Sequence, residues 1–79
     1  MDIREVLALN LRQLRHARGL SQEELADRAD IDRTYVSALE RCVYAAGIDV
    51  LGRLAVALGV EASDLLRRPP PRRSGKPAV

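Results

Sequence analysis

QEELADRADIDRTYVSALER, residues 22–41, reads as two short helices joined by a tight turn. Ser21, just before it, is a good N-cap, and Glu24 stands three residues on, where its carboxylate reaches back to the Ser21 amide to complete a capping box. Leu25, Ala26 and Ala29 give the first helix one small apolar face. Asp30, Ile31 and Asp32 then interrupt the period, and Asp32 is a second good N-cap. From Arg33 the helical period resumes, with Val36 and Leu39 on one side and Arg33, Thr34, Ser37 and Arg41 on the other. Ala26 is small where two helix axes must come close, and Ile31 suits the corner between them.

That is the pattern of a helix-turn-helix, whose second helix enters the major groove of DNA. The run LRQLRHARGLSQEELADRADIDRTYVSALER, residues 11–41, resembles the XRE family of lambda-repressor-like transcriptional regulators. The later LGRLAVALGVEASDLL resembles the last two helices of that family, so the likeness spans residues 7–67. Asp32-Arg33-Thr34-Tyr35 is also similar to a segment of the controller proteins of restriction-modification systems. The resemblance implies an all-α, five-helix domain that binds duplex DNA.

Working outward, Leu7, Leu11 and Leu14 space a first helix from Asp2 or Ile3 to Arg18, which Gly19 closes. The recognition pair follows at residues 22–29 and 33–41. A loop, CVYAAG, occupies residues 42–47 and departs from the family, which commonly has Gly at the place of Cys42 and Pro at that of Ala46. A cysteine there is costly in a left-handed cap, so helix three is expected to end differently or to run longer. Asp30 also replaces a frequent Gly, but Asp tolerates the left-handed region well enough to keep the turn. Helix four is read at residues 48–58, with Ile48, Leu51, Leu54 and Leu58 as its buried stripe. Gly52 inside it is expected to mark the close approach of a neighbouring backbone. A short fifth helix is placed at residues 62–67. The domain therefore spans residues 1–68, and PPPRRSGKPAV, residues 69–79, reads as a basic, Pro-rich tail without regular structure.

Composition narrows the classes further. The 79 residues contain no Phe and no Trp, so aliphatic and alanine side chains must fill one small core. No apolar run approaches the ~20 residues needed to span a bilayer, and MDIREV does not begin like a signal peptide. With a single cysteine, this predicts a cytoplasmic protein without an internal disulfide. The net charge of +2 is misleading, because Arg72, Arg73 and Lys76 lie in the tail. Residues 1–68 carry ten basic and eleven acidic side chains, so any nucleic-acid footprint must come from local placement of arginine and helix N-termini.

The candidate site follows from the polar face of helix three. Arg33 offers a bidentate fork to guanine, Thr34 a hydroxyl and a methyl, Ser37 a hydroxyl one turn on, and Ala38 apolar contact only. These four are the expected base contacts. Arg41, at the far end, suits phosphate, as do Ser21 and Gln22 at the N-terminus of helix two. The resemblance implies that Gln22 anchors a phosphate, and Tyr35 and Tyr44 are further phosphate candidates. It also implies a structural ion pair between Arg15 in helix one and Glu40 near the end of helix three. His16 and Cys42 have no partners at metal or redox spacing. No metal, cofactor, small-molecule ligand or catalytic residue is expected. Because one short helix reads only a few base pairs, a homodimer is expected, with Val50, Val56, Leu65 and Leu66 as interface candidates. The alternative is a protein-interaction module, antitoxin-like or anti-repressor, with the same fold and weak DNA affinity.

Overall fold

The computed structural model describes residues 1–69, so the tail beyond Pro69 lies outside the described residues. Five helices run α1 (Ile3–Ala17), α2 (Gln22–Ala29), α3 (Arg33–Glu40), α4 (Ile48–Leu58) and α5 (Ala62–Leu65). The first three starts have a local cause. Asp2 caps α1 and Ser21 caps α2, each closing a capping box with a glutamate three residues on, and the Asp32 carboxylate accepts the Thr34 amide at α3.

Four helix ends use one device. After α1, α2, α3 and α4 a single residue turns left-handed, at Gly19, Asp30, Cys42 and Gly59. The chain behind it closes onto the last turn, as in the 3.0 Å bond from the Leu20 amide to the Arg15 carbonyl. At α3 the Val43 amide donates to the Ala38 carbonyl at 2.9 Å and the Cys42 amide to that of Leu39 at 3.1 Å. Cys42 thus takes the glycine conformation, at φ 61°, and neither lengthens the helix nor changes how it ends. Two backbone hydrogen bonds on the chain end offset the steric cost of the Cβ. Asp30, at φ 58°, keeps the turn as its residue type predicts, and Arg53 Nη1 donates to its carbonyl at 3.2 Å.

The core is almost wholly aliphatic. Leu11, Leu25, Leu39, Leu54, Leu58, Leu65, Val6 and Val36 are its largest fully buried side chains. α2 packs on α3 and α4, α1 on α3 and α5, and α5 on α4. Polar clamps tie the layers together. Asn10 Nδ2 reaches the carbonyls of Leu65 and Arg67 at 2.9 and 2.8 Å, and Arg18 Nε reaches that of Leu58 at 2.9 Å.

Four expectations are corrected here. Ile48 is 83% exposed, because it stands at the first position of α4, past the edge that its neighbours cover; Ala55 takes its place in the buried stripe. α5 stops at Leu65, one turn long, and Leu65 is completely buried, so it is a core plug and not an interface residue. Helix three ends at Glu40, with Arg41 as its C-cap. Gly52 meets no neighbouring backbone: a Cβ built there has no atom within 4 Å. Gly52→Ala is therefore expected to stabilise the domain by about 1 kcal/mol, the helix-propensity difference alone. A thermal melt checks this, and a lower melting temperature would mean that the glycine has a packing role.

Candidate nucleic-acid interface

α2 and α3 present one continuous polar face. Arg33 and Thr34, in the first turn of α3, are exposed, and Ser37 one turn later is half-buried. Arg41 is exposed at the far end, with its Nε 3.4 Å from the Ser37 carbonyl. Tyr35 is half-buried and stacks edge-to-face with the exposed Tyr44, centroids 5.7 Å apart and planes at 88°. The loop after α3 therefore continues the face begun by the helix.

Two of the predicted base contacts behave otherwise than their residue types suggest. The Thr34 hydroxyl lies 3.0 Å from Asp32 Oδ1, which also accepts the Thr34 amide at 3.2 Å. The hydroxyl is thereby committed to the helix cap, and the methyl is left as its free γ substituent. Ala38 is only 6% exposed. Its Cβ forms the floor of a recess walled by Thr34, Tyr35, Arg41, Val43 and Tyr44, so it is not a protruding contact. Arg33 is exposed and Ser37 is half-buried.

At the other end of the face, Ser21 and Gln22 are partly engaged. Ser21 Oγ accepts the Glu24 amide at 3.0 Å, and Glu24 Oε1 accepts the Ser21 amide at 2.8 Å. The Ser21 backbone amide, and after it the Ser21 hydroxyl, hold the Glu24 carboxyl below its ordinary pKa. Gln22 Nε2 donates to Glu40 Oε1 at 3.1 Å, which leaves one of its two amide hydrogens for another acceptor. The sequence offers no signal for this bond, because the partners stand on different helices.

Beneath the face lies the ion pair. Arg15 Nε is 2.7 Å from Glu40 Oε2 and Arg15 Nη2 is 2.9 Å from Glu40 Oε1, a two-pronged contact. Arg15 Nη1 adds a 3.0 Å bond to the Leu20 carbonyl, and Arg12 Nη1 lies 3.3 Å from the Glu40 carbonyl. Both partners are buried. Burial raises the Glu40 pKa, but the Arg15 and Gln22 hydrogen bonds and the charges of Arg15 and Arg12 outweigh it and leave the carboxyl below its ordinary value. The Glu40 hydrogen bond likewise raises the pKa of Arg15. The pair thus joins α1, the start of α2 and the end of α3 in one network.

Such a face, two capped helices at a tight turn with an arginine at the head of the second, defines a helix-turn-helix DNA-binding domain. The helix-turn-helix family model matches residues 11–65, and the chain belongs to that family, of the XRE-like type. It is 48% identical over 71 residues to a hypothetical transcription factor of Neisseria meningitidis, covering 90% of this chain and 67% of that protein. Its identity to the control protein C.SmaI of Serratia marcescens is 41% over 68 residues, 86% of this chain and 81% of that one. Among solved structures, the hypothetical transcription factor NHTF from Neisseria superposes with a TM-score of 0.84 at 48% identity, covering 86% of this chain and 78% of that one. The restriction-modification controller protein C.AhdI from Aeromonas hydrophila gives 0.76 at 39% identity, over 78% and 94% of the two chains. The protein is thus a DNA-binding transcription regulator of a non-enzymatic family, with an all-helical fold.

Proposed function

We propose that the protein binds a specific duplex sequence as a homodimer in the cytoplasm, with α3 in the major groove. The observation that carries this reading is Arg33, exposed in the first turn of a helix whose opposite side is locked into the core. Arg33 reads a guanine and Ser37 reaches a base edge, directly or through water. Ser21, Gln22, Tyr35, Arg41 and Tyr44 fix the register on phosphates, aided by the partial positive charge at the N-terminus of α2. Net charge is near zero in the domain, so affinity comes from this local placement.

Dimer formation would set two recognition helices one DNA turn apart, about 34 Å. The surface best suited to it joins Leu66, 37% exposed, to Ile48 across a shallow apolar groove with Ile3, Leu7 and Leu51. Val56, 81% exposed, stands on the same helix, while Val50 is half-buried. A second copy of the chain is the occupant in this reading, because two-fold pairing covers the same apolar patch on both subunits at once. Sedimentation velocity is expected to show a dimer, shifted toward monomer by Ile48→Asp. A single monomeric species at tens of micromolar, with and without DNA, would overturn the dimer.

A further inference from the structure

The recess on the recognition face combines three features that phosphate binding does not use. Its floor is a buried alanine, its outer wall is Val43, 55% exposed, and Thr34 contributes a methyl because its hydroxyl is held by Asp32. The 2.9 Å bond from the Val43 amide to the Ala38 carbonyl holds the backbone of Val43 beside the recess. The Tyr35–Tyr44 pair closes another side, and Arg41 is the charged residue on the rim. A valine offers nothing to a phosphate oxygen. It does match an apolar group, and the apolar group on a base edge in the major groove is the 5-methyl of thymine.

We infer that this recess receives the 5-methyl group of one thymine in each half-site, with Val43 as a specificity-determining residue. The inference rests on the DNA-binding reading above and deepens it. Arg41, on the rim, lies against the flanking phosphate and positions the methyl over Ala38, while Arg33 reads a different base pair nearer the helix start.

The test uses the full chain and a duplex that it selects from random sequence. Each thymine is replaced singly by deoxyuracil, which removes the methyl and leaves base pairing unchanged. One position per half-site is expected to lose about fourfold in affinity, the equivalent of burying one methylene-sized group. Val43→Ser, on an exposed site where folding is not at stake, is expected to lose the thymine preference and to bind the thymine and uracil duplexes alike. Tolerance of uracil at every position, or a thymine preference that survives intact in Val43→Ser, overturns the inference while leaving DNA binding standing. Failure to retain any duplex would overturn the DNA-binding reading itself, and this inference with it.

Discussion

Glu40→Ala is expected to destabilise the domain by about 3–5 kcal/mol, because it strands the buried guanidinium of Arg15. The contact is two-pronged, at 2.7 and 2.9 Å, and it also holds Gln22. With Glu40 gone, Arg15 keeps only the Leu20 carbonyl, one neutral acceptor for a buried cation. A small domain has about 5–15 kcal/mol of total stability, so much of the protein would unfold. Replacement of both partners by apolar residues is expected to be milder than either single change, since neither charge is then left unpaired. The pair also sets a pH dependence. The Glu40 carboxyl is held below its ordinary value in the folded state. Its contribution is therefore complete above the unfolded-state pKa and is lost as the pH falls through the folded-state pKa. Urea denaturation at neutral and acid pH checks both points. A Glu40→Ala variant that melts like the parent would contradict the role given to the pair.

Arg33→Ala carries the second large effect. Loss of a bidentate guanine contact should cost about 1–3 kcal/mol on the cognate site and relax preference at one base position. Arg41, the C-cap of α3, lies two turns beyond Arg33, about 12 Å at 1.5 Å per residue, which in the proposed binding mode would lift it off the groove floor. Arg41→Ala is accordingly expected to weaken all duplexes alike and to lower the salt slope by about one unit. Binding of both variants to the selected and a scrambled duplex at two salt concentrations separates these outcomes. Equal losses on both duplexes for Arg33→Ala would reduce it to a phosphate contact and move base reading to Ser37 and the Ala38 recess.

Most of the architecture was legible because it is written in local signals. Ser21 with Glu24, Asp32 before Arg33, and Gly19 and Gly59 at helix ends each act within a few residues, and the leucine spacing marks the inner faces. Misreadings arose where tertiary context decides. Ile48 continues a helical stripe by spacing, yet it stands where no other helix arrives to cover it. Leu65 looks surplus to a small core, yet α5 turns it fully inward between α1 and α4. The polar face of α3 was legible in residue type, but its hydrogen bonds were not. Thr34 has two acceptors within reach in principle, a base edge and its own cap, and only the rotamer shows that the cap holds it. Gln22 bonds across to Glu40, a residue eighteen positions away, which no local pattern announces. Cys42 differs again: its residue type argues against the left-handed cap, and the paired backbone bonds at Ala38 and Leu39 override that preference.

The central claim, sequence-specific binding by two α3 helices, is tested most directly by selecting bound sequences from random duplex DNA with the wild-type chain. The account predicts enrichment of two inverted half-sites, centred about one helical turn apart, each containing a guanine for Arg33, with affinity falling steeply as salt rises. Recovery of unenriched sequence, at an affinity no different from that of a scrambled duplex, would contradict it and favour the protein-interaction module instead.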